Sequence, residues 1–183
     1  MFTMNKKLKE LLDKGKKIRV AIIGAGKMGK GLINQMSRIE GMVPALVVNR
    51  RIEKAIDALL SSGIPKEEII ETNSLKEANY YLEKGKFVVS EYIELATKAS
   101  IIDAVVDATG VPEVGAAVAL DAIDNKKHII MLNIEADAVV GPILYKKATD
   151  AGVVYTGTAG DEPGATMELY NFAKGLGFDI LVI

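Results

Sequence analysis

The residues best spaced to do chemistry in this chain are three glycines, in the run Gly24-Ala25-Gly26-Lys27-Met28-Gly29. The apolar run IRVAII precedes them, and a helical pattern (Met28, Leu32, Ile33, Met36) comes after. In that context a Gly-x-Gly-x-x-Gly turn can hold a dinucleotide. Gly24 allows the tight turn, Gly26 lets backbone approach a pyrophosphate, and Gly29 lets the helix pack close to the strand. The helix N-terminus then turns free N–H groups and a positive dipole end toward the phosphates. The alternative is a strand–helix turn that binds nothing.

Other chemistry is narrowly bounded. The chain has one histidine, His128, and no cysteine. Disulfides, thiolate nucleophiles and Cys-based zinc sites are excluded, and with a single histidine neither a multi-histidine metal site nor a Ser-His-Asp arrangement is expected. No metal is expected. His128 opens the run HIIML and reads as a packed structural residue. Lys, Asp, Glu, Tyr or a bound cofactor remain.

The residues after the second apolar run narrow the cofactor. Asn49-Arg50-Arg51 begins 20 residues after Gly29. An NAD site usually carries Asp or Glu there for the ribose hydroxyls. Here no carboxylate repels a 2′-phosphate, and two guanidiniums can grip one. NADP is therefore expected over NAD, unless the arginines are only the solvated start of the next helix.

These residues need a scaffold, and the chain supplies an alternation. Strands are expected at 18–23, 43–48, 86–90, 101–107, within KKHIIMLN, and at 153–157, with helical patterns between them. Ser74 and Glu77 form a capping box before one helix, in the long gap 49–86 that must hold an extra helix. Gly141-Pro142 is expected in the first turn of another, and a last helix spans Pro163 to Lys174. About six strands joined by helices mean a parallel sheet covered on both faces. The fold is a doubly wound α/β (Rossmann) sheet in the order 3-2-1-4-5-6. Residues 1–17 read as a lead-in helix, 18–160 as the dinucleotide-binding domain, and 161–183 as a return helix and the start of a further region. The terminal run DILVI is either the last edge strand or the point where a longer chain continues, the second being favoured.

In such a sheet ligands lie at the carboxyl ends of the strands. The fourth strand ends in Asp107-Ala108-Thr109-Gly110, with Thr109 and Gly110 bordering the nicotinamide side. The fifth ends in Asn133-Ile134-Glu135, and the sixth leads into Gly160-Asp161-Glu162-Pro163. Asn133 is a cofactor-side candidate. Glu135 and Asp161 are the candidate catalytic acids, or merely acids favoured in a helix's first turn.

The chain is 26% charged with a net charge of −1 and scattered Lys and Arg, so nucleic acid is not the expected partner. No apolar run suggests a membrane span, and the lysine-rich N-terminus lacks the apolar stretch of a signal peptide. A cytoplasmic protein with a small-molecule substrate, and a homo-oligomer, is expected.

Taken together, IRVAIIGAGKMGKGL, VVDATGVPEVGA, KKHIIMLNIEAD and GVVYTGTAGDEPGATMEL resemble the homoserine dehydrogenase-like oxidoreductases, a group with reductoisomerase-like members acting on 1-deoxy-D-xylulose 5-phosphate. The resemblance covers most of residues 18–178. It implies an NAD(P)-binding domain followed by a catalytic and dimerising region. It carries cofactor contact to Gly24, Gly26, Lys27, Met28 and Gly29 and to the Thr109-Gly110 turn. Ordinary homoserine dehydrogenases have an Asn-Lys pair after the fifth strand, whereas Asn133 is followed by Ile134. The lysine-assisted proton transfer of those enzymes is not expected at that position. The leading expectation is hydride transfer between NADP(H) and a small polar carbonyl or hydroxyl substrate; the alternative is a non-catalytic dinucleotide sensor.

Overall fold

The computed structural model describes residues 2–158 and 162–182. Helix α1 (Phe2–Asp13) leads into β1 (Ile18–Ile23), α2 (Lys27–Met36), β2 (Met42–Val48) and α3 (Ile52–Ser61). After a 3-10 turn come β3 (Ile69–Glu71), α4 (Leu75–Glu83), β4 (Phe87–Ser90) and α5 (Ile93–Lys98). The second half is β5 (Ala104–Asp107), α6 (Pro112–Asp124), β6 (His128–Met131), α7 (Ile134–Ala151), β7 (Tyr155–Gly157) and α8 (Glu162–Gly175).

The strands form one sheet in the order β3-β4-β2-β1-β5-β6-β7, and every pairing is parallel. The alternation of side chains along each strand explains the two covered faces. Val20 and Ile22, with Val47, Val89 and Val106, pack beneath Ile33 of α2 and Ala55 and Leu59 of α3. Ala21 and Ile23, with Leu46, Val88 and Val105, pack on the other face against Leu82 of α4, Val118 of α6 and Leu144 of α7. No helix among the described residues is long and apolar enough to cross a membrane.

The six expected strands occur in the expected order. The correction is a seventh, β3, whose three residues pair with Phe87, Val88 and Val89 at the outer edge. Its run is too short to show a period against the turns around it. The extra helix expected in that gap is α4, and its cap is observed: Ser74 Oγ accepts from Glu77 N–H at 3.4 Å.

Three further expectations are corrected. Strand β5 starts at Ala104 rather than Ile101; just before it, Asp103 bonds β1 and the lead of β6 through its backbone and also takes the Arg19 N–H on its carboxylate (2.7 Å). Helix α7 begins seven residues before Gly141, so Gly141-Pro142 lies mid-helix: Asn133 Oδ1 accepts from Ala136 N–H at 3.2 Å and starts the helix early. Pro142 deprives the Ala138 carbonyl of its helical donor, which is tolerable because Ala138 is exposed. His128 is exposed rather than packed, and its Nδ1 accepts from the Val154 N–H at 3.0 Å, tying the lead-in of β7 to β6. Among the described residues, the strand-like run at the C-terminus pairs with no strand; Leu181 is 91% exposed.

Candidate active site

Two of the three glycines in the turn sit where a side chain has no room. Gly24 has φ +104, and a Cβ there would come within 2.5 Å of the Ala108 carbonyl oxygen. A Cβ on Gly29 would lie 1.9 Å from the Gly24 carbonyl oxygen, so α2 can sit on β1 only without it. A Cβ on Gly26 meets no protein atom. Its value there is the open space itself, which a ligand can approach closely. Gly26 caps α2 with no side-chain hydrogen bond, leaving the first-turn N–H groups of Lys27, Met28 and Gly29 without a side-chain acceptor. The Lys27 and Met28 side chains are exposed, and the turn itself offers a phosphate backbone N–H groups.

Asn49 joins this turn to the arginines. Its Oδ1 accepts from Ala25 N–H at 3.0 Å, and its Nδ2 donates to the Arg51 carbonyl at 2.7 Å. The side chain fixes the loop after β2 to the glycine turn and sets Arg50 and Arg51 at the start of α3.

One cleft of about 640 Å³ gathers these parts. Gly24, Gly26, Asn49, Arg50, Arg51 and Thr109 line it, so six of the sequence-expected residues meet at one place. Two further charged residues face it. Lys54 lies one helical turn after Arg51, a spacing legible in the sequence. Glu91 is held by Asn73, whose Oδ1 accepts from Ser90 Oγ (2.7 Å) and Glu91 N–H (3.3 Å); nothing local in the sequence signals that clamp. Arg51 and Lys54 flank the N-terminal turn of α3, where the helix dipole favours anions, so an incoming phosphate meets both the dipole and the cations.

The other candidates fall differently. Thr109 lines the cleft, and Gly110 follows it with φ +65, a conformation that suits glycine. Asn133 is completely buried below the cleft. Its Nδ2 donates to Asp107 Oδ2 and the Val111 carbonyl (2.9 Å each) and reaches Thr109 Oγ1 at 3.3 Å. Its amide is used up within the protein, so Asn133 shapes the 107–111 loop from beneath rather than presenting a free group. Glu135 is an exposed first-turn acid of α7 and does not line the cleft. Asp161 lies outside the described residues.

A parallel doubly wound sheet with a glycine turn between β1 and α2 and a cleft at its carboxyl edge is a dinucleotide-binding domain of the dehydrogenase type. The family model for shikimate / quinate 5-dehydrogenase matches residues 6–102, more than half of the sequence, and the chain belongs to that family. No curated protein matches the chain.

Solved structures share the fold. The WlbA dehydrogenase of Bordetella pertussis, in complex with NADH and UDP-GlcNAcA, is 17% identical with a TM-score of 0.63, covering 88% of this chain and 43% of that one. A scyllo-inositol dehydrogenase from Lactobacillus casei is 15% identical with a TM-score of 0.57, covering 87% of this chain and 42% of that one. A homoserine dehydrogenase from Thiobacillus denitrificans is 21% identical with a TM-score of 0.55, covering 78% of this chain and 29% of that one. The chain spans less than half the length of each.

Proposed function

We propose that this domain binds NADP(H) and presents its nicotinamide for hydride transfer to or from a small polar carbonyl or hydroxyl substrate, in an oxidoreductase of the homoserine dehydrogenase-like group. The observation that carries the reading is the convergence of Gly24, Gly26, Arg50, Arg51 and Lys54 on one cleft. Backbone N–H groups at the start of α2 would take the pyrophosphate. The three cations would take the 2′-phosphate that distinguishes NADP from NAD.

The dinucleotide supplies the hydride chemistry when bound. The chain's own residues orient it. Asn49 fixes the arginines against the glycine turn, and Asn133 and Asp107 hold Thr109 at the nicotinamide side. Calorimetric titration of the chain with NADP⁺ and NAD⁺ tests the reading. Tighter NADP⁺ binding is expected; equal or tighter NAD⁺ binding removes the case for the 2′-phosphate site.

A further inference from the structure

The charges around the cleft are sorted by end. Arg50, Arg51 and Lys54 line the side beside β2, with Glu91 as the one acid there among the described residues. On the other side the lining residues Ala108, Thr109, Val111 and Val114 carry no charge. The residue just before them is an acid, Asp107, which ends β5, and the first turn of α6 that follows carries Glu113.

Asp107 is the one enclosed among these. It is completely buried, one residue before the lining begins. Its Oδ1 accepts from Thr109 N–H at 3.1 Å and its Oδ2 from Asn133 Nδ2 at 2.9 Å. Both donors are neutral, and no basic side chain forms an ion pair with it among the described residues. The pair is packed tightly: a Cβ on Gly115 would lie 2.5 Å from both Asp107 Oδ2 and Asn133 Nδ2. The starts of α6 and α7 therefore close over a carboxyl group buried next to the cleft lining.

We propose that Asp107 sets the redox-state preference of this cleft, favouring the oxidised dinucleotide. The inference rests on the dinucleotide reading of the cleft. The two halves of a dinucleotide lie on either side of the point where strand order reverses. With the adenosine half over β2, the nicotinamide half would lie toward β5 and β6, on the side of Thr109 and Asp107. Oxidised and reduced cofactor differ by one hydride and hence by the positive charge of the nicotinamide ring. An uncompensated carboxylate on that side attracts the cation and has nothing to attract in the neutral ring. The oxidised form of NADP is also negative at its 2′-phosphate and positive at its nicotinamide, which matches the order of charges along the cleft. For unit charges about 10 Å apart at an effective dielectric of about 20, the preference is on the order of tenfold. Tighter binding of the oxidised form lowers the potential of the bound couple, by about 30 mV for tenfold. Bound NADPH becomes the stronger hydride donor.

The test compares dissociation constants for NADP⁺, NADPH and 2′-phospho-ADP-ribose, which lacks the nicotinamide ring. The proteins are the wild-type chain, Asp107→Asn, and the exchange Asp107→Asn/Asn133→Asp, which keeps one carboxylate in the buried pair. The wild type is expected to bind NADP⁺ about tenfold more tightly than NADPH. Asp107→Asn is expected to bring that ratio close to one, the exchange to restore most of it, and the ring-less probe to bind all three alike. If Asp107→Asn weakens both redox forms by the same factor, Asp107 only positions the loop and the proposal is overturned. Should that variant fail to fold, the wild-type ratio still decides, because equal affinity for the two forms overturns the proposal. If 2′-phospho-ADP-ribose binds and the ratio is flat, this inference alone fails; if neither dinucleotide nor probe binds, the reading of the cleft fails with it.

Discussion

The two halves of the sheet treat the polar groups at their carboxyl ends in opposite ways. Beyond β1 and β2 the groups are left open: the first N–H groups of α2 have no side-chain cap, and among the described residues Arg50, Arg51 and Lys54 face the cleft without an ion-pair partner. Beyond β5 and β6 they are turned inward, with Asp107, Thr109, Asn133 and the Val111 carbonyl satisfying one another. An open set is left to water or to a ligand, whereas a closed set holds shape. On the proposed reading the first half supplies the ligand contacts, and the second holds the shape of the loop beside them. The two halves should answer differently to substitution.

Gly29 breaks the first half at its foundation. Gly29→Ala places a Cβ 1.9 Å from the Gly24 carbonyl oxygen, and the obstacle is backbone, which cannot rotate away. Either α2 lifts from β1 or the glycine turn opens. The expected loss is about 3 kcal/mol or more, toward the upper end for overpacking. It is read as a fall in the denaturant midpoint, and an unchanged midpoint contradicts the close approach.

Asn133 is the corresponding point in the second half. Asn133→Ala removes the side-chain cap of α7 and leaves the buried Asp107 Oδ2 without its donor, while the Val111 carbonyl keeps the Gly115 N–H. A lost cap costs about 1 kcal/mol and a buried acceptor left unsatisfied about 1–3. A total of about 3 kcal/mol is expected in chemical denaturation. Asn133→Asp keeps the cap but sets two carboxylates together, so it should not rescue stability.

The first half is much the more legible in the sequence. Its signals are local: three glycines at fixed spacing, a buried strand before them, and Asn49-Arg50-Arg51 after the next strand. Six strands and their order emerge from the same alternation of apolar runs and helical patterns. The second half is less legible because its contacts are long-range. Asn133 stands out as a residue at a strand end, but nothing near it in sequence shows that its amide is consumed by residues 22 to 26 positions earlier. Gly141-Pro142 signals a helix start that the Asn133 cap overrides. Strand β3, three residues long, exists through its pairing with β4, which a single-sequence period cannot detect. Glu91 reaches the cleft through a clamp from Asn73, again a contact between distant segments.

The arginines sharpen the comparison, because they should affect binding and leave the fold alone. Arg50 and Arg51 are exposed and belong to no ion pair among the described residues. Arg50→Ala and Arg51→Ala are each expected to weaken NADP⁺ binding roughly tenfold, up to about a hundredfold, the range of a lost hydrogen bond to a charged group. NAD⁺ affinity and thermal midpoint should stay within error. Calorimetry with both dinucleotides separates this from a general loss of the site, which would lower both affinities together.

Tyr155 tests the second half at its outer edge with the smallest expected effect. Its hydroxyl donates to Asp137 Oδ1 at 2.6 Å, bridging β7 to the first turn of α7. Burial, and then the neighbouring Asp137 carboxylate, raise the phenol above its ordinary value of about 10. A group whose value is raised on folding contributes stability while protonated. That contribution is complete below pH ~10, where the unfolded chain also keeps its proton, and it declines as pH rises above that value. Tyr155→Phe keeps the ring in the core and removes the hydrogen bond, so about 1 kcal/mol is expected at neutral pH. The variant should also lose part of the alkaline fall in stability, so the curves of variant and wild type should converge as pH rises beyond ~10. Parallel curves would mean that the hydroxyl carries no proton-linked stability, and that β7 is held to α7 by packing alone.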